Sequence, residues 1–425
     1  MIINKPVVRY DSFNNIIRIP SKVGSNIIAD FAAAIKLWQQ KRPDDVLTLD
    51  FSSVEHPYTN GMLPMIATVT ELRAKNLKIK IKLPSNPKIK NLFNATNWSY
   101  FLDPQKNTKS EATHDRHLVT RQFTDDKEVA NIIRDFMDVV LRNMSIPKDI
   151  VSALEWSVNE ICDNVLNHSE SQFGGFVQLT TFVKNDVISF GVADAGKGIL
   201  NSLKEGIPTL QTDLQAIGEA IKAGVTRNKE AGQGNGLAGS LRITTMTGGS
   251  LDIISGTGRF LATNDDNKKK DGNKNQSYMG TNVSGQINMS KKFSIADALN
   301  FGGPFPYTAF NIIDQDYEMK DQNSLLMTMR DETTGLGTRN AGRQLKTKIL
   351  NLIESKPGFP IFVDWAGVPV ISSSFADEFM GKLFLELGPL NFGKLIRNLD
   401  MESIVRQLLD KAILQRLTQS KDTED

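Results

Sequence analysis

Apolar strands that alternate with amphipathic helices constrain this chain more than any other feature. In the first hundred residues, the strand-like segments VLTLDF and LKIKIKL each lie between helix-like segments. The last part of the chain repeats the pattern, with the strand FPIFVDWAG between the helices AGRQLKTKILNLIES and SSFADEFMGKLFLEL. Alternation of this kind is typical of sheets that are covered by helices. We therefore predict a mixed α/β (α+β) fold class.

A polar segment without periodicity, PQKNTKSEATHDRH, interrupts this pattern and predicts a linker. We place a first α/β domain before it and a central and a C-terminal domain after it. The predicted bounds are 1–104 for the first domain, 105–117 for the linker, 118–292 for the central domain and 293–425 for the last. Inside the central domain, the charged stretch ATNDDNKKKDGNKNQS has almost no apolar residue and predicts a loop between two strands.

Composition limits the classes of function. The net charge of +2 over 425 residues gives no strong attraction to nucleic acid or to membranes. No run of about 18 apolar residues predicts a membrane-spanning helix. The single cysteine, Cys162, excludes an intramolecular disulfide and a cysteine-based zinc cluster, and it fits a reducing compartment. We expect a cytoplasmic protein without a membrane or nucleic-acid partner.

The central domain contains a helix with an unusually polar face. The segment IPKDIVSALEWSVNEICDNVLNHSE spaces Glu160, Asn164 and His168 four residues apart, so that they share one side of the helix. A carboxylate at this place can orient or deprotonate a water molecule. An amide oxygen one turn away is a neutral, hard ligand that suits magnesium. The alternative is a polar face that is only solvated, and the helix alone leaves both open.

Two glycine-containing motifs follow this helix. VISFGVADAGKGI predicts a buried strand that ends at Asp194, where Gly196 and Gly198 let the backbone turn away and expose the carboxylate. Such a carboxylate can accept a hydrogen bond from an exocyclic amine such as that of adenine, although the same motif is also common in ordinary turns. In AGQGNGLAGSLRITTMTGG, three alternating glycines precede a helix. Their amides and the helix amino end can cradle phosphate oxygens.

The glycine-rich segment does not fit the two best-known phosphate-binding motifs. No lysine and hydroxyl pair follows its glycines, as a P-loop requires. The glycines also do not follow a first strand, as they do in a dinucleotide-binding fold.

The order of the three motifs resembles the GHKL ATPase superfamily, and in particular its anti-sigma factor serine kinases. The segment Met279-Gly280-Thr281, which enters the strand NVSGQINM, is similar to the last glycine–threonine element of that family. The resemblance covers about residues 125–290. It implies a two-layer α/β sandwich with a mixed sheet that binds ATP and Mg²⁺.

The resemblance also implies roles for individual residues. Glu160 would activate a water molecule, Asn164 would bind Mg²⁺, and Asp194 would hold the adenine amino group. The other residues implied in cofactor binding are Gly196, Gly198, Gly232, Gly234, Gly236, Leu237 and Thr281. The segment 200–231 would form a lid, from which Lys222, Arg227 or Lys229 could reach phosphates. We expect Lys197 to face solvent.

The flanking domains resemble STAS domains. LTLDFSSVEHPYTNGMLPMIATVTELRAKN is similar to the strand–loop–helix segment of anti-anti-sigma factors, whose phosphorylated serine aligns with Asn60 and leaves Thr59 as a candidate phosphoacceptor. TGLGTRNAGRQLKTKIL and VDWAGVPVISSSFADEFMGKLF resemble the STAS-like (DUF4325-type) domain often found beside such ATPases. Ser373 and Ser374 are candidate phosphoacceptors there, and helix capping is the alternative role for these serines.

Together these resemblances imply an ATP-binding regulatory protein with Mg²⁺-dependent ATPase or serine/threonine kinase activity. Its target would be a STAS-type or sigma-factor-like protein partner, or its own STAS-like domains. The alternative is a non-catalytic protein in which ATP binding and lid closure control the docking of a partner. Because relatives of this kind often dimerise, we also expect a homodimer.

Overall fold

The structure, a computed structural model, describes residues 7–42, 44–110, 119–222, 224, 235–264, 266–272, 274–301, 311–320, 322–332 and 335–419. Contacts divide the chain into two compact units. The first is Met1–Phe136 with Ala153–Tyr307, and the second is Met137–Ser152 with Thr308–Asp425. The mixed α/β class is confirmed. The domain boundaries that we predict at 104, 117 and 292 stay predictions.

The N-terminal region of the first unit forms a small mixed sheet with helices, as its sequence pattern predicts. Its elements are β1 (Arg9–Asp11), β2 (Ile16–Arg18), β3 (Lys22–Val23), α1 (Ile28–Lys41), β4 (Leu47–Asp50), β5 (His56–Pro57), α2 (Thr59–Ala74), β6 (Ile79–Lys82), α3 (Pro87–Ala95) and α4 (Trp98–Leu102). The strand order is β1-β2-β4-β6, with an antiparallel first pair and parallel pairs after it.

The central region of the first unit is built on a sheet of seven described strands in the order β12-β11-β10-β13-β9-β8-β7. Its elements are β7 (Arg121–Phe123), α5 (Asp126–Asn143), α6 (Lys148–His168), β8 (Gly175–Phe182), β9 (Val187–Ala193), α7 (Gly198–Lys204), α8 (Asp213–Ala220), α9 (Gly236–Met246), β10 (Ser250–Gly256), β11 (Gly258–Thr263), β12 (Asn267–Asp271), β13 (Tyr278–Asn288) and α10 (Ile295–Ala298). The end of α5 from Met137 and the start of α6 up to Ser152 belong to the second unit.

Two details of this sheet differ from the sequence predictions. Every pair of neighbouring strands in it is antiparallel, so the mixed pairing that we expected here occurs instead in the two four-stranded sheets. The charged stretch predicted as a loop contains β12, which pairs with β11. Lys269 pairs with Phe260 of β11, and its ammonium lies 6.0 Å from the centre of the Phe260 ring, within the range of a cation–π interaction. Lysines also suit an exposed edge strand, because their charge opposes pairing with another chain.

The N-terminal region packs against one face of the central sheet. Helix α2 contacts β8, β9 and β13. A Cβ atom at Gly191 in β9 would lie 3.2 Å from Leu63 Cδ1, so the glycine lets α2 approach closely. The Trp98 indole N–H donates to Gln178 Oε1 at 2.9 Å, and Ser25 Oγ lies 2.6 Å from Asp252 Oδ2. Successive residues of a strand point to opposite faces of a sheet. The residues directly before and after Gln178, Gly191 and Asp252 therefore point to the face that the N-terminal region does not cover.

The second unit has a four-stranded sheet in the order β14-β15-β16-β17, parallel except for the first pair. Its elements are α11 (Ile312–Asp316), β14 (Glu318–Met319), β15 (Ser324–Thr328), α12 (Met329–Glu332), α13 (Arg339–Ser355), β16 (Ile361–Asp364), α14 (Ser373–Ala376), α15 (Lys382–Leu395), β17 (Ile396–Leu399) and α16 (Ser403–Gln419). A π-helical turn at Asp377–Gly381 joins α14 to α15.

A buried ion network holds the segment Met137–Ser152 within this second unit. Lys348 in α13 is 1% exposed and donates to Asp138 Oδ1 at 2.6 Å and to Glu332. Arg142 donates to Asp138 Oδ2 at 2.7 Å and to Glu332 Oε2 at 2.8 Å. Two cations therefore face two carboxylates, and each charge has partners of opposite sign, which a buried ion requires.

Candidate functional site

Asp194 lies at the end of β9, where the sequence motif predicts it. The expectation that its carboxylate is exposed is wrong, because the residue is packed into the fold and is 2% exposed. The Gly196 amide donates to Asp194 Oδ1 at 2.7 Å, and the Asp194 amide donates to the Thr281 carbonyl at 2.9 Å. Burial raises the pKa of Asp194 to about 7, although backbone hydrogen bonds with Gly196 and Thr281 oppose the shift. A buried acid of this kind can serve as a hydrogen-bond acceptor for a ligand amine.

Gly198 and Thr281 both lie next to Ser255, a residue that the sequence motifs did not identify. Ser255 Oγ accepts from the Ile199 amide at 2.9 Å, donates to the Gly280 carbonyl at 3.1 Å and lies 3.2 Å from Thr281 Oγ1. Gly198 has φ +75°, and a Cβ atom there would lie 3.0 Å from Ser255 Oγ. The DAGKG segment, the glycine–threonine element and the start of α7 are therefore joined at one buried hydroxyl.

Helix α6 contacts both glycine motifs. A Cβ atom at Gly236, the first residue of α9, would lie 2.6 Å from Glu160 Oε2 and 3.3 Å from Asn164 Nδ2. At the end of α6, the Ser169 carbonyl accepts from the Lys197 amide at 2.8 Å. A Cβ atom at Gly196 would lie 2.1 Å from this same carbonyl. The helix thus brings the polar stripe, the turn after Asp194 and the amino end of α9 together.

The electrostatics of the stripe suit proton transfer. Glu160 is half-buried, and burial, with a smaller effect from the Asp163 charge, raises its pKa. A carboxylate with a raised pKa is a better proton acceptor near neutral pH than an ordinary glutamate. Asn164 is also half-buried and lies beside the amino end of α9, where backbone N–H groups favour negative ligands.

Lys197 differs from the prediction that it faces solvent. Its ammonium donates to Glu170 Oε1 at 2.7 Å and to Glu205 Oε1 at 2.5 Å, and its side chain is only 16% exposed. The two carboxylates raise its pKa, the Glu170 hydrogen bond most. The lysine therefore joins the end of α6 to the residue that follows α7.

Part of the predicted site lies outside the described residues. This holds for Gly232, Gly234, Arg227 and Lys229. Leu237 is half-buried in the first turn of α9. Lys222 is described, and its ammonium donates to Glu219 Oε1 at 2.6 Å.

The candidate phosphoacceptors lie in different surroundings. Thr59 Oγ1 is 3.3 Å from Thr180 Oγ1 of β8, on the sheet face that the N-terminal region covers. Ser372 caps α14, since its hydroxyl accepts from the Phe375 amide at 3.0 Å and donates to the Gly337 carbonyl at 2.9 Å. Ser374 Oγ lies 3.0 Å from Ser372 Oγ, whereas Ser373 is exposed.

Comparison with known families bears on the second unit. Residues 341–406 match a family described as a STAS-like domain of unknown function, DUF4325. They run from α13 into the first turn of α16 and include β16 and β17. This part of the chain is similar to STAS-like domains. The C-terminal resemblance is thereby confirmed, and the GHKL and N-terminal STAS resemblances stay predictions. No curated protein matches the chain.

The structure also bears on membranes and metal ions. Within the described parts of the chain, no helix combines the length and the apolar character needed to cross a bilayer. The same parts contain no group of three or more His, Cys, Asp and Glu side chains that could hold a metal ion. Magnesium needs no such cage, because it commonly binds through one or two protein ligands together with substrate phosphates and water.

Proposed function

We propose that the central region binds ATP with Mg²⁺ and that the protein is a regulator with ATPase or serine/threonine kinase activity. A STAS-like domain suggests a regulatory role, and residues 341–406 supply one. The observation that carries the proposal is that α6 lies close to both glycine motifs. Glu160 and Asn164 lie against Gly236, and Ser169, directly after the helix, lies against Gly196. These contacts are separated by about 7 to 13 Å along the helix, given a rise of about 1.5 Å per residue.

The residues at the two ends of this region suit the two ends of an adenine nucleotide. At one end, the buried Asp194 carboxylate is a hydrogen-bond acceptor for the adenine amine. At the other, Gly236 begins α9 beside Asn164, and the backbone amides at the amino end of a helix can bind phosphate oxygens. Asn164 would hold Mg²⁺, which neutralises phosphate charge when it is bound.

Glu160 would then act on a proton. Its half-buried carboxylate, whose pKa is raised, would orient a water molecule or a partner hydroxyl and accept its proton. The Gly236 backbone lies against this carboxylate and limits its movement. The target of a kinase reaction would be a serine or threonine on a STAS-type or sigma-factor-like partner or on the STAS-like domains of the chain.

Substitution of Glu160 tests the proposal. We expect Glu160→Ala to abolish turnover of ATP while nucleotide binding, measured by calorimetry, remains. Glu155→Ala is a matched control, because this residue lies on another side of the same helix. Turnover that survives in Glu160→Ala would contradict the role of Glu160. Mass spectrometry of the wild type after incubation with Mg²⁺ and ATP would separate a kinase, which leaves a phosphate on protein, from a hydrolase.

The second candidate is a non-catalytic switch in which nucleotide binding controls the docking of a partner. It is favoured by the N-terminal region, which packs directly behind the strand that ends at Asp194. This candidate predicts that ATP changes partner affinity equally in the wild type and in Glu160→Ala. A partner affinity that ATP leaves unchanged in both proteins would contradict it.

A further inference from the structure

Tyr278 links the candidate nucleotide site to the N-terminal region. Its side chain is 2% exposed, and its hydroxyl donates to the backbone carbonyl of Asp194 at 2.6 Å. Its ring belongs to the hydrophobic core that the N-terminal region forms with the central sheet. The same core includes Ala193 and contacts Ala195, the two neighbours of Asp194. The backbone on both sides of Asp194 is therefore packed against the N-terminal region.

Helix α1 holds the segment that leads into Tyr278. The Lys36 ammonium donates to the Lys274 carbonyl at 3.0 Å, and the Gln276 side-chain amide donates to Asp30 Oδ1 at 3.1 Å. Both contacts lie within four residues of Tyr278. Because the phenol reaches Asp194 from this segment, a shift of α1 would move the hydrogen bond that fixes the Asp194 carbonyl.

The contact between the N-terminal region and the sheet includes polar groups that a permanent interface would normally satisfy. Asn282, which is in register with Ala193 and Ile254 of the same core, is fully buried, and its side-chain amide has no hydrogen-bond partner among the described residues. The Asn60 Oδ1 atom is also buried and, within the described residues, accepts no hydrogen bond. Buried polar atoms without partners cost free energy, so this interface is less stable than an apolar one of equal size.

We propose that the N-terminal region is a regulatory domain that positions Asp194 for nucleotide, and that Tyr278 is the positioning residue that connects them. This inference rests on the proposed nucleotide site and names its regulation. When the domain is docked, Tyr278 and the packed alanines hold the Asp194 turn in place. Docking and nucleotide binding then favour each other by the same factor, because linkage between two equilibria is reciprocal.

The first test removes one hydroxyl and leaves the ring. We expect Tyr278→Phe to bind a non-hydrolysable ATP analogue, in the presence of Mg²⁺, about fivefold more weakly than the wild type, as expected for loss of one neutral hydrogen bond. Tyr10→Phe is the matched control, because the Tyr10 hydroxyl bonds Asn15 within the N-terminal region. We expect its nucleotide affinity to equal that of the wild type.

The second test measures docking directly. In Thr59→Cys/Thr180→Cys, the two thiols replace hydroxyl oxygens that lie 3.3 Å apart across the interface, while the native Cys162 is buried and does not compete. We expect the ATP analogue to increase the rate of disulfide formation under mild oxidation. We also expect the cross-linked protein to bind the analogue at least as tightly as the reduced protein.

The outcomes separate this inference from the proposed function. If the wild type and Tyr278→Phe bind nucleotide equally, and the analogue leaves the cross-linking rate unchanged, the inference is wrong and the nucleotide site stands. If the wild type binds no nucleotide while the cross-link still forms, the proposed function fails and the inference fails with it.

Discussion

Gly236 lies directly against Glu160, since a Cβ atom on this glycine would come within 2.6 Å of Glu160 Oε2. The close approach places the amino end of α9 on the polar stripe of α6. The two motifs are 76 positions apart in the sequence, from 160 to 236. Their contact gives the glycine-rich segment a physical role, because any side chain at Gly236 would displace the carboxylate proposed to act on a proton.

Gly236→Ala tests this role. Alanine is the better helix former, so the variant should keep its fold, with a change in stability of at most about 1 kcal/mol. We expect ATP turnover to fall at least tenfold, because about 1.4 kcal/mol of lost transition-state stabilisation has that effect. Gly393→Ala is the matched control, since a Cβ atom at this glycine of α15 would meet nothing within 4 Å. Wild-type turnover in Gly236→Ala would contradict the contact.

The raised pKa of Asp194 predicts that the stability of the protein depends on pH. Its pKa is about 7 in the folded protein and near 3.8 when the chain is unfolded. Between these values the folded state holds the proton more tightly, so the free energy of unfolding falls as pH rises from about 4 to 7. Below about pH 4 Asp194 is protonated in both states and does not change the free energy of unfolding. Above about pH 7 its full destabilising effect is present. We expect Asp194→Asn to be more stable than the wild type at pH 8, with the difference gone below pH 4.

Chemical denaturation across this pH range measures the effect. Asp11→Asn provides a control of opposite sign, because the Asn14 side-chain hydrogen bond lowers the pKa of Asp11 to about 2. A lowered pKa adds stability above the unfolded pKa, so this variant should lose stability at neutral pH. An Asp194→Asn protein whose stability tracks the wild type at every pH would show that Asp194 is not a buried acid.

Lys348 should be essential for the stability of the second unit. Lys348→Met leaves the carboxylates of Asp138 and Glu332 with one cation fewer in a buried place, and the expected cost is about 3 to 5 kcal/mol. The control is Lys346→Met on the same helix, whose partner Glu386 is 48% exposed and whose loss should cost about 0 to 1 kcal/mol. Urea unfolding compares the two. Equal losses would mean that the buried network is no stronger than a surface pair.

The serines at the start of α14 can be separated by substitution. Ser372→Ala should destabilise the second unit by about 1 kcal/mol because it removes the helix cap. Ser373→Ala should change stability by less than about 0.5 kcal/mol, since this residue is exposed. If a kinase reaction modifies this segment, we expect the phosphate on Ser373. A phosphate found on Ser374 in phosphopeptide mapping would contradict this assignment.

Local patterns in the sequence predicted most elements of the fold. Apolar alternation located β4, β6 and β16, and helical periodicity located α6 and α13, because these signals depend on neighbouring residues only. The pairing of the central strands was not predictable in this way, since antiparallel and parallel strands share the same period. The strand β12 was missed because its five residues are all exposed, and an edge strand of lysines has no apolar signal.

For the candidate site, the sequence identified the motifs but not the residues that join them. Lys197 was expected in solvent, and its ion pairs depend on Glu170 and Glu205, which only the fold brings near. Ser255 and Tyr278 lie on strands, and their sequence pattern does not distinguish them from ordinary sheet residues. An aromatic residue directly before the glycine–threonine element was a signal, but its partner, the Asp194 carbonyl, is 84 positions away.

Nucleotide binding by the full-length chain tests the central claim most directly. Calorimetric titration with Mg²⁺ and a non-hydrolysable ATP analogue should show one bound nucleotide per chain in the wild type. In Asp194→Ala the affinity should be at least about tenfold weaker, because a hydrogen bond to a charged acceptor is lost. A wild-type chain that binds no adenine nucleotide, or an Asp194→Ala variant that binds it as tightly as the wild type, would contradict the account.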